Sequence, residues 1–430
     1  MNKEKKAWVV AVDMGYGHQR TAYPLRSFTF WGKVTNANNY QGISKRDRWL
    51  WEAARSFYEF ISQFKGVPII GNAGFSFLER FQKILSFYPK RDLSKPNFSL
   101  KLIYYFLKRG WGEDLISQLG ENPIPLISTF FTPIFMAEVF NYPNDIYCVI
   151  CDADIARTWV ALDPAKSRIK YFAPNSWVVS RLKLYGVKEE NIFFTGYPLP
   201  PENIGGEKME ILKSDISHRL ANLDPKGIYR REYKPMIERH IGDLPHKPDH
   251  SLTIMFSMGG AGAQKEIVAR YIKSLAPKIK SGEIKVVLAA GIRKDIHEYF
   301  LETIKYLGLA EFLNKNIELV FALSVTDYFG EFNRKLRKTD ILWTKPSELS
   351  FYTALGLPII IAPPIGAQEE YNRRWLLRLG SGMDQEDPDY ADQWFFDFLE
   401  SGRFADAAMQ GFVEAEKLGT YNIQKIISKS

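Results

Sequence analysis

The apolar run Ala7–Val12 passes directly into Asp13-Met14-Gly15-Tyr16-Gly17-His18-Gln19-Arg20-Thr21-Ala22. This junction constrains the fold more than any other stretch, because it reads as a strand, a glycine turn and a helix start. Gly15 and Gly17 let the backbone turn sharply and let a ligand approach closely, and they leave His18 at the amino end of the next helix. The positive end of the helix dipole disfavours a charged imidazole, so His18 is expected to be a neutral base near pH 7. A tight turn with an incidental histidine is the plain alternative.

The same pattern continues along the chain. Further β-rich runs are Val67–Ile70, Pro125–Ser128, Ile146–Cys151, Ile169–Ala173 and Ile192–Thr195, with an amphipathic stretch around Arg48–Phe64. Strands alternating with helices imply a parallel, doubly wound sheet. The stretch 200–250, bounded by segments rich in proline, glycine and charge, reads as an interdomain connection with a helical insert. The pattern then restarts with Leu252–Phe256, the turn Gly259-Gly260-Ala261-Gly262 and a helix from Gln264. Lys285–Ala289, Glu318–Ala322, Ile341–Trp343 and Pro358–Ala362 supply further strands. The expected class is therefore α/β, with two Rossmann-like doubly wound domains facing a ligand cleft. Expected boundaries are 1–199, the connection 200–250, a second domain 251–404, and a helical segment 405–430 that packs back on the first domain.

Composition narrows the function classes. Of 430 residues, 46% are hydrophobic and 25% charged, which suits a globular protein of two domains. No apolar run approaches about 18 residues, so a spanning helix is not expected and a cytoplasmic location is. Cys148 and Cys151 form a C-x-x-C without a second pair to complete a zinc site, and are expected to be buried structural thiols. No metal site is expected. The net charge is +8, and it concentrates between Glu79 and Gly112. There Arg80, Lys83, Lys90, Arg91, Lys95, Lys101, Lys108 and Arg109 face only Glu79 and Asp92, interleaved with Phe81, Phe87, Tyr88, Phe98, Tyr104, Tyr105, Phe106 and Trp111. Such a mixture suits an anionic membrane surface contacted through 79–112, or a helical hairpin with inward rings and solvated lysines. Without a recognisable reader motif, nucleic acid is not an expected partner.

In the second domain, bare amides at Gly259, Gly260, Ala261 and Gly262 are suited to hold a diphosphate at a helix start. Arg293, after Ala289-Ala290-Gly291-Ile292, is placed to meet the same phosphates. The segment Thr344–Asn372 gathers carboxylates and amides at two loop-to-helix junctions. Glu348 lies in the first turn of its helix and can accept from ribose hydroxyls, while Gln368, Glu369 and Asn372 begin another helix and can bind sugar hydroxyls. Simple helix capping is the alternative for all four.

Taken together, G-x-G-H-x-x-x-A at Gly15–Ala22, T-K-P at Thr344–Pro346 and Q-E-x-x-N at Gln368–Asn372 resemble the glycosyltransferases related to monogalactosyldiacylglycerol synthase, processive diacylglycerol glucosyltransferase and the lipid II N-acetylglucosaminyltransferase. Tyr171-Phe172-Ala173-Pro174-Asn175-Ser176, Thr195-Gly196-Tyr197-Pro198 and Asp340–Lys345 are similar to further stretches of those enzymes. The resemblance covers both domains except about Thr29–Asn122 and Pro200–His250. It implies a GT-B fold, with an acceptor domain followed by a UDP-sugar domain. It also implies that His18 is the general base, that Gly259 to Gly262 and Arg293 hold the diphosphate, and that Gln368 and Glu369 contact the donor sugar. Gly15, Gly17, Lys345, Ser347, Glu348 and Asn372 complete the expected donor and phosphate set. The implied reaction is metal-independent inversion with a nucleotide-sugar co-substrate and no cofactor, toward a hydroxyl acceptor that is lipid-linked at the cytosolic membrane face in one form of the reading.

Two positions depart from the pattern. Phe351 stands where those families carry a ribose-binding glutamate, and Glu348, one helical turn earlier on the same face, is the candidate substitute. In Asp152–Trp159 the residue before the tryptophan is Thr158, where the lipid-modifying members often have histidine. A GT-B scaffold that only binds a nucleotide or partner, and a nucleotide-sugar epimerase, are the alternative readings.

Overall fold

The computed structural model describes residues 6–63, 84–257 and 265–429. The chain forms two compact units: Met1–Pro198, Ile365–Tyr371 and Leu418–Ser430 in the first, and Leu199–Pro364 and Asn372–Lys417 in the second. Each is built on a six-stranded parallel sheet.

Unit 1 contains β1 (Trp8–Ala11), β2 (Thr35–Asn36), β3 (Leu126–Ser128), β4 (Ile146–Val149), β5 (Lys170–Ala173) and β6 (Ile192–Phe194), in the spatial order β2-β1-β3-β4-β5-β6. The chain steps outward from β1 to β2, then returns to β1's other side and continues from β3 to β6. The connections therefore diverge between β1 and β3, the switch point where open α/β sheets bind ligands beyond the strands' carboxyl ends. Val9, Ala11, Ile127, Tyr147, Val149 and Phe172 form one buried face, with Tyr147 stacked on Phe172 at 4.9 Å. Helix Gly419–Lys429 covers that face with Ile423 and Ile427. It approaches so closely that a Cβ at Gly419 would stand 2.1 Å from the Tyr197 carbonyl oxygen. The Val67–Ile70 run lies outside the described residues.

Unit 2 contains β7 (Thr253–Ser257), β8 (Lys285–Gly291), β9 (Ile317–Phe321), β10 (Ile341–Thr344), β11 (Ile359–Ile361) and β12 (Gly382–Asp384), ordered β12-β11-β10-β7-β8-β9. This is the Rossmann strand order, and its switch point lies between β7 and β10. Trp343 on β10 is fully buried and packs on Tyr271 and Trp394 at 4.7 and 5.5 Å.

Residues 200–250 fold into unit 2. Helix Glu210–Leu223 is fixed there by buried Arg219, whose guanidinium donates to the carbonyls of Thr339 (2.8 Å), Leu355 (2.6 Å) and Leu336 (3.3 Å). Leu336 and Leu355 end a helix and a 3-10 helix, so the cation meets two negative dipole ends as well as these carbonyls and that of Gly356 at 3.4 Å. Helix Arg403–Glu414 also stays in unit 2, where Gly411 lets it touch the backbone of Thr353. Of the stretch 405–430, only the residues from Leu418 onward belong to unit 1. Among the described residues no helix is long and apolar enough to cross a membrane.

Candidate functional site

Chemistry-bearing side chains collect at the switch point of each sheet. In unit 1, β1 runs into Gly15, whose φ of +96° lies in the region that favours glycine. A Cβ there would meet nothing within 4 Å, so the demand for glycine is conformational and not steric. Asn38 holds the turn by accepting from the Asp13 amide at 2.8 Å and donating to the Asp13 carbonyl at 3.1 Å. Helix Tyr16–Ala22 follows, containing Gly17 and half-buried His18 in its first turn.

The His18 ring is held by residues far away in sequence. Its Nδ1 lies 2.9 Å from the Thr129 carbonyl oxygen, and the Thr129 hydroxyl donates to the His18 carbonyl at 2.9 Å. Thr129 directly follows β3, and its amide donates to the Val10 carbonyl at 3.1 Å, so the two elements at the switch point are joined. Phe130 meets the imidazole edge-on at 4.8 Å, and Trp159 lies at 6.1 Å. Burial pushes the His18 pKa down to about 4, outweighing the Thr129 carbonyl, which favours the charged form. The imidazole is therefore uncharged at neutral pH.

Trp159 belongs to a loop after β4 that is fixed by buried arginines. Arg181 pairs in a bidentate manner with Asp154 (2.8 and 2.7 Å), and Asp154 also accepts from Trp177 Nε1 at 2.8 Å. Arg157 donates to the carbonyls of Ser94, Val160 and Ala161 at 2.8, 2.7 and 3.0 Å. Both cysteines are buried thiols outside any disulfide, and burial pushes the Cys148 thiol well up. Cys151 is more than filler, because its Sγ stands 3.4 Å from His18 Nδ1.

In unit 2 the carboxyl ends of β7 and β10 are joined by the Thr344 hydroxyl, which donates to the Ser257 carbonyl at 2.8 Å. Gly259, Gly260, Ala261 and Gly262 lie outside the described residues. Half-buried Lys345 and Ser347 follow β10, and Glu348 opens the 3-10 helix Glu348–Leu355 with its side chain buried. Asn372 is fully buried and donates to the Pro346 carbonyl at 3.1 Å, so it braces this loop. Phe351 is also buried, with its ring 4.8 Å from Trp375. In a 3-10 helix residues three apart eclipse, so Glu348 and Phe351 share a face, but the Phe351 position is packed and apolar.

The remaining expected contacts are less direct. Arg293 occupies the position before helix Lys294–Tyr306 without a side-chain capping bond, and is paired with Asp295 through Nε and one Nη (2.8 and 2.6 Å) at the surface. Glu369 accepts from the amides of Ile365 (2.6 Å) and Gly366 (3.3 Å), which is helix capping. Gln368 is half-buried in the same turn. Two of the four chain crossings between the units fall at 364/365 and 371/372, so Gln368 and Glu369 group with unit 1 and Asn372 with unit 2. Thr129 and Phe130 carry no sequence signal of their own, and neither the C-x-x-C of Cys151 nor the stretch ending in Trp159 reveals that these two side chains stand beside His18. Only the rule that ligands gather beyond β1 and β3 would have pointed to the first two. Among the described residues no group of three or more His, Cys, Asp or Glu side chains is arranged to hold a metal ion.

Against known proteins, the family described as "Domain of unknown function (DUF6938)" matches residues 245–427. No curated protein matches the sequence. The crystal structure of Acinetobacter baumannii MurG aligns over 99% of this chain and 100% of that one, at 12% identity and a TM-score of 0.51. Staphylococcus aureus MnaA, solved with UDP, aligns over 98% and 95% at 12% identity and TM-score 0.47. Anabaena HepE, solved with UDP and glucose, aligns over 99% and 98% at 10% identity and TM-score 0.45. The likeness to MurG establishes the fold. It is the two-sheet GT-B architecture, with a doubly wound sheet in each unit.

Proposed function

We propose that this chain transfers a sugar from a UDP-sugar to a hydroxyl acceptor, with inversion at the anomeric carbon and without a metal ion. The observation that carries the reading is His18, an uncharged, half-buried imidazole held at the switch point of unit 1. In a single displacement the acceptor oxygen attacks the anomeric carbon, its proton passes to His18, and the bond to the nucleoside diphosphate breaks with both electrons staying on the phosphate oxygen. Unit 2 takes the donor in this reading, with Glu348 for the ribose, Lys345 and Ser347 for the diphosphate together with the amides of Gly259 to Gly262 that the resemblance implies, and Asn372 supporting the loop that carries Lys345, Ser347 and Glu348. Arg293 joins them on release from Asp295. The resemblance gives Gln368 and Glu369 the donor-sugar contacts, with Glu369 keeping its capping bonds. Helix-end amides and cations offset the leaving-group charge in place of a metal.

Calorimetric titration with UDP, ADP and GDP tests the donor half. Selective UDP binding that weakens in Glu348→Ala is expected, and no nucleotide binding at all would overturn the reading. Transfer to a panel of hydroxyl acceptors, abolished in His18→Ala, tests the other half. The buried Phe351 gives a second reading some force, that of a scaffold which binds nucleotide without transfer. UDP binding with no donor consumption across the panel would establish it.

A lipid-linked acceptor and an anionic membrane surface belong to the same proposal. Helix Phe98–Leu107 buries Leu100, Tyr104 and Leu107 and leaves Phe98, Leu102 and Tyr105 exposed on the opposite face. Exposed Lys101, Lys108 and Arg109 border that face, and Tyr88, Lys90 and Arg91, earlier in the same basic segment, are also exposed. Rings at headgroup depth flanked by cations are what an in-plane contact needs. Co-sedimentation with anionic but not neutral vesicles is expected, and failure to bind either would remove the membrane from the reading.

A further inference from the structure

We propose that Thr129 is a positioning residue that fixes His18 as the Nδ1–H tautomer, leaving Nε2 as the basic nitrogen. The inference deepens the general-base reading and rests on it for its functional meaning, although the tautomer itself does not depend on any activity. A backbone carbonyl has lone pairs and no proton, so at 2.9 Å from the Thr129 oxygen the His18 Nδ1 is the donor and carries the hydrogen. A neutral imidazole holds one N–H. The lone pair is therefore on Nε2.

The surroundings supply one competing arrangement. Cys151 Sγ lies 3.4 Å from the same Nδ1, and a thiol could donate to a bare Nδ1 in the opposite tautomer. The choice between them is energetic. An amide-type N–H to a carbonyl at 2.9 Å is a full hydrogen bond, while S–H is a weak donor. The carbonyl wins, and the sulfur remains a soft neighbour on the flank of the ring.

What makes the choice firm is that the acceptor cannot drift. Thr129 is fully buried, its amide is bonded to the Val10 carbonyl at 3.1 Å, and its hydroxyl donates to the His18 carbonyl at 2.9 Å. The Ser128 hydroxyl closes the next step of the loop, accepting from the Phe130 amide at 3.1 Å and donating to the Phe130 carbonyl at 2.9 Å. Two bonds thus join the same pair of residues, one to the ring and one to the main chain, while Phe130 sets the ring plane from its edge. The hydroxyl bond is the part a substitution can remove without touching the carbonyl.

The test is ¹⁵N NMR of the full chain labelled at histidine, with the His18 signals among six histidines assigned by their loss in His18→Gln. Near pH 7 the wild type is expected to show a pyrrole-like Nδ1 and a pyridine-like Nε2. Thr129→Val keeps the shape and deletes the hydroxyl, and is expected to give a mixture of tautomers, whereas Thr129→Ser is expected to restore the wild-type pattern. A pyridine-like Nδ1 in the wild type, or an unchanged pattern in Thr129→Val, would overturn the proposal. Because the spectrum is read on the free protein, it separates from the transferase reading. Loss of transfer in Thr129→Val with a mixed tautomer supports both, and the predicted spectra in a chain that transfers no sugar would refute only the reaction.

Discussion

Replacing Phe351 with glutamate puts the residue type expected from the GT-B resemblance back at its place, and the structure argues that the result will be harmful. Phe351 is only 3% exposed and lies against Trp375 at 4.8 Å. Losing a buried phenyl ring costs about 3–5 kcal/mol, and an unpaired buried polar group adds roughly 1–3 kcal/mol. Phe351→Glu should therefore lower stability by about 4 kcal/mol or more at pH 7. Burial would raise the pKa of the introduced carboxyl, so the folded state would bind the proton more tightly than the unfolded chain. The deficit should then shrink as the pH falls from 7 toward 5.

Urea denaturation at both pH values, alongside UDP titration, checks this. Phe351→Leu is the control, expected to lose under about 1.5 kcal/mol as an apolar exchange of similar kind and to keep its UDP affinity. If Phe351→Glu were as stable as the wild type at pH 7 and bound UDP more tightly, the packing argument would fail, and with it the assignment of the ribose-binding role to Glu348.

Two other perturbations probe unit 1. With a folded pKa of about 4 against about 6.5 in an unfolded chain, His18 makes the unfolded state the stronger proton binder between those values. Wild-type stability relative to His18→Gln should be constant above pH 7 and fall by about 3 kcal/mol as the pH drops through 6.5 to 4; a difference that stays flat from pH 8 to 4 would show that the ring is not desolvated. Asp154→Asn leaves the buried Arg181 guanidinium without its counter-ion and should cost about 3–5 kcal/mol. Asp154→Leu combined with Arg181→Met should recover part of it in thermal melts, and a single-variant loss below about 1 kcal/mol would contradict the buried-pair reading.

Long apolar runs made most of the strands legible. Ile341–Trp343 and Lys285–Ala289, for example, fall within β10 and β8. Thr35–Asn36 and Gly382–Asp384 gave no such signal, because edge strands of two and three residues contain too few positions for any periodicity to show. At the site, Gly15 and His18 were visible because a left-handed turn and an imidazole each need a particular residue. Glu369 and Asn372 were visible as polar residues at a helix start, but the sequence does not say whether such groups face a ligand or the chain itself. In the structure Glu369 caps its own helix and Asn372 holds the Pro346 carbonyl. Cys151 is the buried thiol that its apolar run implies, yet its contact with His18 joins residues 133 positions apart, which no local spacing reports.

That pattern has a common cause. The groups that orient His18 are a carbonyl oxygen, an amide and a hydroxyl of one threonine, and two of these three belong to the backbone. A backbone acceptor is supplied by whatever residue follows β3, provided the parallel pairing of β1 and β3 continues to that point. The register Val10↔Ser128 is extended one step by the Thr129 amide on the Val10 carbonyl, and this step brings the carbonyl to the ring. The placement of the His18 ring is thus a property of strand order and register more than of side-chain identity. A chain could then preserve this arrangement while changing nearly every residue around it, as long as the glycine at the turn, the histidine after it and the buried runs that set the register survive. The Thr129 hydroxyl is the side-chain bond that ties this backbone device to the His18 main chain, and so Thr129→Val is the substitution expected to loosen the ring without altering the sheet.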